Sequence, residues 1–450
     1  MILHLSWNYR GHHLSRPCLY CEPPRIFVTN CALGKKGHRF LTSLVATSAP
    51  DDTSVSNRLI RKFVQSSSKS VALNTLSYLL SPDSLHPHLS SLAFPLYLRI
   101  TEEPWFSWNS KMVANLIALL DSVGERDKAE SLISETVSRL GLRERELALF
   151  YCNLIESHSK HKSKPGFSNS YARLKELMRA SSSIFVKRHA FKSMVGGLCA
   201  MDLPCEADNL IEKMRGFQVK PSVFEFRSVI YAHGRLGQFD EMKRSVAEME
   251  MEGIALDSVC SNMVLSSFGA HGELSEMVLW LQKMKSLGVP FSVRTYNSVL
   301  NSCPTMMAML EDLNTAPISI QKLVGKLVGD EGLLVQELIG SSVLEEAMEW
   351  NYKEGKLDLH GMHLGSAYLI MLQWIEEVRS RFSDRKQLIP AEITIVCGLG
   401  KHSTIRGESP VKGLVKQMLI RTRFPMRIDR LNAGCFIAKG CVLKMWLGLG

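Results

Sequence analysis

Between residues 188 and 302 the chain repeats itself every 35 residues without a gap, and that period limits its fold more than any other feature. Phe191, Phe226, Ser261 and Tyr296 stand 35 apart, and four residues after each come Val195, Ile230, Leu265 and Leu300. Glu206, Glu241 and Glu276 make a further column, followed by Met214, Met249 and Met284, and by Val219, Ile254 and Val289. In the unit Val223 to Asp257 one apolar-periodic run reaches about Ala232, Gly234 and Gly237 break it, and a second run covers Asp240 to Glu252. Gly253 then stands where a helix stop belongs. Each unit is expected to be a helical hairpin too small to bury its own apolar face, so neighbours must stack into an α-helical solenoid of helix-turn-helix repeats. The methionine column reads as core between repeats.

Units 188–222, 223–257 and 258–292, with a partial one at 293–302 that opens Val-Arg-Thr-Tyr-Asn-Ser-Val-Leu, resemble pentatricopeptide repeats of the P type. Weaker copies are expected over about 108–142 and 146–181, the second with an insertion around Lys160 to Gly166. The 35-residue length and the absence of a Trp, Leu-Gly and Tyr signature separate these units from tetratricopeptide repeats. The resemblance implies a superhelix that binds single-stranded RNA, each repeat offering a few side chains to one base. It implies that the fifth and last positions of each unit choose the base. These are Lys192 with Ser222, Arg227 with Asp257, and Asn262 with Ser292, while Asn297 opens the partial unit. Asn262 with Ser292 resembles the pyrimidine-preferring combination of the family, an amide being both donor and acceptor. Lys192 and Arg227 depart from the pattern and suit phosphate instead. The second positions, Phe224 and Val259, are candidates to sandwich bases. The plainer reading of all these polar residues is solvated helix surface.

After Cys303 the period decays. Residues 303–355 read as a helical linker ending in an amphipathic run, Val343 to Tyr352. The pattern then changes type. Lys356 to Gly361 alternates like a strand, Leu364 to Phe382 reads as a helix, and Ala391 to Cys397 is an apolar strand running into Gly398-Leu399-Gly400-Lys401-His402-Ser403. Pro410 to Arg421 follows as a helix with Ser409 at its N-cap. With short strands at Met426 to Arg430 and Cys435 to Ala438, residues 356–447 are expected to form a small α/β sandwich domain.

Asp358-Leu-His-Gly361, followed by the glycine loop and Ser409-Pro-Val-Lys, closely resembles the small MutS-related (Smr) domain. Repeats first and this domain last resemble the plant organellar proteins that carry it. The resemblance implies a nucleic-acid face, with nuclease activity in some members, built from Asp358, His360, Gly361, Gly398, Gly400, Lys401 and His402. Where that loop usually begins with Thr this chain has Cys397, which replaces a hydroxyl by a thiol. Asp358 and His360 lie two apart on a strand and share a face. His360 is a candidate general base or phosphate donor, and the glycines let backbone N–H groups approach an anion. The other reading is a structural pair that fixes the loop.

Charge distribution agrees with a polyanionic partner. The net charge is +10, and residues 357–450 carry 14 Lys and Arg against seven acids while residues 51–356 are near neutral. Residues 1–50 carry six basic residues against Glu22 alone, with many hydroxyl residues and no sustained helical or strand period. That composition is expected of an organellar transit peptide ending near Phe40 to Ala46, for chloroplast or alternatively mitochondrion; a disordered basic tail is the other reading. Residues 51–107 then form a helical N-terminal region. Cys18 and Cys21, near His12 and His13, lack a second ligand pair at zinc spacing, and no metal or cofactor is expected unless a nuclease uses a divalent ion. Eleven scattered cysteines suit a reducing compartment, and no stretch is apolar for long enough to insert in a membrane.

Three functions fit these residues. The first is an RNA-binding protein in organellar RNA processing, stability or translation, with processing or ribosomal factors as partners. The second is an endoribonuclease whose repeats choose the site, and the third is a helical scaffold that holds peptides.

Overall fold

The computed structural model describes residues 33–47, 53–81, 87–383, 388–399 and 409–448. They fall into two compact units. One holds the described residues up to Ile254 except Gly237–Phe239, and the other holds those three with Ala255 onward.

The first unit is helical. Four hairpins follow in order: Ser110–Ser122 with Arg126–Leu140, Glu144–Lys160 with Lys164–Ala180, Ile184–Ala200 with Pro204–Gly216, and Val223–Arg235 with Phe239–Met251, whose first residue belongs to the second unit. The repeat columns face inward: Phe191, Phe226, Val195, Ile230, Met214 and Met249 are all buried. Glu206 and Glu241 lie in the first turn of the second helix of their hairpins, where a carboxylate complements the positive helix end.

The period is also written in the backbone. Asp202, Gly237 and Gly272, 35 residues apart, have positive φ in the turn inside each hairpin, and Gln218, Gly253 and Gly288 have it in the turn between hairpins. In the first clear unit the two turn residues, Asp202 and Gln218, are not glycines, so the sequence hides what the backbone repeats. Asp202 has compensating partners: Lys162 Nζ lies 3.1 Å from its carboxylate and Arg235 pairs with it. Burial alone would raise its pKa, but the hydrogen bonds from Arg235 and Lys162 outweigh that and hold it low.

One expectation for the N-terminus is corrected. Lys35–Thr47 is a helix, within the segment read as lacking a sustained period. It buries Phe40, Leu41 and Leu44, and the Phe40 ring stacks on Phe63 of helix Thr53–Ser66 at 3.9 Å. The basic composition obscured a short apolar stripe at i, i+1 and i+4. The rest of the expected import sequence up to residue 32, with Cys18, Cys21, His12 and His13, lies outside the described residues.

The second unit begins with the hairpin Ser258–His271 and Leu274–Ser286 and the single helix Val293–Leu300. It ends in a five-stranded sheet: β1 Met348–Trp350, β2 Glu354–Asp358, β3 Glu392–Val396, β4 Arg427–Ile428 and β5 Cys435–Lys439, in the order β1-β2-β3-β5-β4. Strands β2 and β3 run parallel, with Asp358 beside Val396, and every other pairing is antiparallel. A parallel pair needs a crossover, which helix Leu364–Ser383 supplies. That helix is buried almost all round, from Tyr368 to Val378, as expected of one enclosed on several sides. Trp374 of that helix stacks on Phe424 at 5.8 Å, and Phe424 in turn on Trp446 at 4.5 Å.

Two features differ from the sequence expectation. The run from Val343 is helical only to Ala347 and then becomes β1, a three-residue strand whose pairing partner β2 supplies what local pattern did not. The segment read as a linker is packed instead. Glu331, buried in helix Asp330–Ile339, accepts from the backbone N–H of Thr305 at 2.9 Å and Met306 at 3.1 Å. Tyr296 donates to the Leu338 carbonyl at 2.6 Å, Tyr368 donates to the Pro317 carbonyl at 2.6 Å, and Arg421 donates to the Leu313 carbonyl at 2.8 Å. These bonds tie residues 303–355 to helix Val293–Leu300 of the array and to helices Leu364–Ser383 and Pro410–Arg421 of the C-terminal region.

Candidate nucleic-acid interface

The residues expected at the last position of each repeat are helix N-caps. Ser222 opens Val223–Arg235 in a reciprocal cap, its backbone N–H donating to Glu225 Oε2 at 2.8 Å. Asp257 accepts from the Cys260 N–H at 2.9 Å, and Ser292 accepts from the Thr295 N–H at 3.3 Å. A short polar acceptor recurs there because an orphan helix N–H must be met. Ser222 and Asp257 nevertheless remain exposed.

The fifth positions differ from one another. Lys192 is exposed, with Nζ 4.5 Å from the centre of the Phe224 ring, so one expected phosphate contact and one expected base platform form a cation–π pair. Arg227 is half-buried and Val259 is exposed. Asn262 is buried, and its amide ties two successive repeats together: Nδ2 donates to Ser292 Oγ at 3.4 Å, and Oδ1 accepts from Thr295 Oγ1 at 2.8 Å. The Asn262 and Ser292 pair expected to read one base is therefore in mutual contact at the repeat boundary.

Asn297 is placed otherwise than expected. Its Nδ2 donates to the Gly361 carbonyl at 3.0 Å, and its Oδ1 accepts from the His363 N–H at 2.8 Å. Both ends of the amide are spent on the loop that follows β2. One turn later Asn301 bonds to His363 Nδ1, and a Cβ added at Gly365 would stand 3.1 Å from Leu300 Cβ. The backbone of helix Leu364–Ser383 thus approaches the last array helix so closely that a side chain at Gly365 would press Leu300 aside by a few tenths of an ångström. Burial pushes His363 below the usual histidine range, which favours the neutral ring at this joint. No local pattern signals this contact, because it joins residues 64 and 66 apart in sequence.

The loops after the parallel strands β2 and β3 lie side by side, where open α/β sheets place their ligands. Leu359 N–H donates to the Val396 carbonyl at 2.8 Å and Cys397 N–H to the Gly434 carbonyl at 2.8 Å. Asp358 Oδ1 accepts from the His360 N–H at 3.0 Å and lies 2.6 Å from His360 Nδ1. The imidazole, 73% exposed, is held by one nitrogen and turns Nε2 to its open side. Gly361 and Gly398 both have positive φ, at 78° and 76°, so each loop reverses where a side chain would be strained. Cys397 is buried, and burial, with Cys435 and Asp358 adding to it, pushes its thiol up to about 12. It is a neutral core group rather than a stand-in for a ligand-facing hydroxyl. Gly400, Lys401 and His402 lie outside the described residues. Among the described residues no cluster of three His, Cys, Asp or Glu could hold a metal, and no helix is long and apolar enough to cross a membrane.

Comparison with known proteins bears on the repeats. The family model described as PPR repeat matches residues 259–289. The pentatricopeptide repeat-containing protein At2g17033 of Arabidopsis thaliana is 55% identical over 98% of this chain and 86% of its own length. The pentatricopeptide repeat-containing protein At5g48730, chloroplastic, of the same organism is 24% identical over 46% of this chain, which spans 40% of that relative. Among solved structures, the pentatricopeptide repeat protein PPR10 from maize aligns with 67% of this chain and 47% of its own at 14% identity and a TM-score of 0.36, too loosely to carry an argument about geometry. The identity to the first relative, spread over nearly the whole of both chains, places this chain in the pentatricopeptide repeat protein family.

Proposed function

We propose that this protein binds single-stranded RNA in a plant organelle through P-type repeats, and that its C-terminal sheet and helices form a small MutS-related sandwich domain that adds a second nucleic-acid contact. The observation that carries the reading is the run of stacked 35-residue hairpins in a chain of the pentatricopeptide repeat family, which leaves Lys192, Ser222 and Asp257 exposed in successive repeats, where a strand could be met one nucleotide per repeat. Exposed Lys192, the basic C-terminal segment and the adjoining loops after β2 and β3 support a phosphate backbone running over the same protein. A relative named chloroplastic supports the chloroplast as compartment, where the protein would serve RNA processing, stability or translation.

A second reading rests on one contact. Asp358, 2.6 Å from His360 Nδ1, orients an exposed imidazole whose Nε2 is suited to take a proton from a ribose hydroxyl or water, so the domain would cut the RNA that the repeats select. One experiment separates the readings. Organellar RNA is crosslinked to the purified protein, an enriched fragment is recovered, and its integrity is followed with wild type and His360→Ala. Enrichment without cutting supports binding alone, and cutting lost in His360→Ala at unchanged affinity supports the nuclease. Absence of any enriched RNA refutes both.

A further inference from the structure

Asn297 stands 35 residues after Asn262 and at the same distance from its helix cap: Asp257 precedes Asn262 by five residues, and Ser292 precedes Asn297 by five. The two helices are immediate neighbours. Ser266 and Ser298 hydroxyls lie 2.9 Å apart, and Thr295 donates to Asn262. A further repeat would place its reader where Asn297 is. That position is covered instead by the loop after β2, whose Gly361 carbonyl and His363 N–H take both ends of the Asn297 amide. The repeat also stops there: the next helix, Pro304–Met309, has six residues, too few to complete a hairpin of the preceding kind.

We propose that the loop Asp358–Gly361 replaces a base reader at the end of the array, with Asn297 and Asn301 as its positioning residues, so that His360 meets the nucleotide next to the one that lies over the repeat boundary at Asn262 and Ser292. This rests on the RNA-binding reading above. Gly361, with φ of 78°, turns the chain so that its carbonyl faces Asn297 while His360, one residue earlier, stays 73% exposed. The clamp is fixed at three points: the Asn297 amide, the Asn301 contact with His363, and the approach of Gly365 to Leu300. Adjacent helices pack about 8–10 Å apart, and each repeat takes one base, so a loop bonded to the last helix is one nucleotide step from the preceding reader. The last element of the array therefore sets the register of the C-terminal contact.

The test uses the full chain. RNA is selected from a randomised pool, and the recovered sequence is resynthesised with 4-thiouridine at one position at a time, irradiated with the protein, and the crosslinked peptides identified by mass spectrometry. The expected result is that the peptide containing Asn262 and the peptide containing His360 crosslink at neighbouring nucleotides. In the double variant Asn297→Ala, Asn301→Ala the loop crosslink spreads over several positions and its yield at the original one falls about fivefold, while the selected base preference is unchanged. A purely structural role for the two asparagines would not move the crosslink position. A wild-type loop that crosslinks several nucleotides away, or nowhere, overturns the inference while leaving RNA binding intact, and this arm needs no variant to fold. A changed base preference at one position in Asn297→Ala also overturns it, since Asn297 would then be a reader. Failure to enrich any sequence removes the inference together with the reading on which it rests.

Discussion

Replacing Glu331 by alanine tests whether residues 303–355 belong to the folded C-terminal unit or merely connect two parts. The side chain is 5% exposed and accepts two backbone hydrogen bonds, from Thr305 at 2.9 Å and Met306 at 3.1 Å, at the start of helix Pro304–Met309. Bonds to a charged acceptor contribute about 1.5–3 kcal/mol each, and an orphaned buried N–H costs about 1–3 kcal/mol. Removing the carboxylate also removes its own desolvation cost, so the two losses do not simply add. A net loss of about 3–5 kcal/mol is expected, in the range for breaking one side of a buried charged contact. For a unit of this size that lowers the midpoint of thermal unfolding by about 10 °C. Glu331→Gln keeps one acceptor and should lose about half as much. Glu337, in the same helix, pairs with Lys285 at 2.5 Å near the surface, and Glu337→Ala should cost no more than about 1 kcal/mol. Thermal unfolding of the full chain by circular dichroism, with hydrogen exchange of peptides on either side of residue 304, measures all three. Equal effects for Glu331→Ala and Glu337→Ala, or a loss below about 1 kcal/mol for Glu331→Ala, would refute the reasoning.

Other outcomes follow from single side chains. His158 is buried, and desolvation lowers its pKa to about 4 despite Asp121 at 3.7 Å pulling it upward and with His161 adding to the depression. The unfolded chain therefore binds one more proton below about pH 6.5, and stability falls by up to about 3 kcal/mol between there and pH 4; a urea titration across pH should show that slope flatten in His158→Gln. Cys397, with its thiol pushed up to about 12, should resist iodoacetamide at neutral pH until the protein is unfolded, while exposed Cys205 and Cys441 react in the native state, as peptide mapping would show. Ser222→Ala should destabilise the protein by about 1 kcal/mol without RNA present, because a helix cap is lost; no change in the unfolding midpoint would count against the capping role.

The 35-residue period made the helical hairpins legible because it is local: each column is buried by its nearest neighbours in sequence, and the stop at Gly253 and cap at Ser409 act within one turn. The same holds for helix Pro410–Arg421 and for strands β2 and β3, whose alternation is visible in single segments. The candidate site was readable as residue types, Asp358 with His360 and Asn262 with Ser292, but not as an arrangement. Three features escaped. Helix Lys35–Thr47 was hidden by its basic composition, β1 exists only because β2 pairs with it, and the segment after Cys303 has a fixed structure only through distant partners.

Asn297 shows where the division falls. The sequence alone determined that it occupies the fifth place of a repeat, since spacing along a helix is set by covalent geometry. Only the tertiary structure decided what its amide meets, because the Gly361 carbonyl and His363 N–H come from 64 and 66 residues away and are brought there by the crossover between two parallel strands. Side-chain hydrogen bonds of that range leave no periodic trace, as each is made once, between groups whose meeting depends on the packing of every element between them.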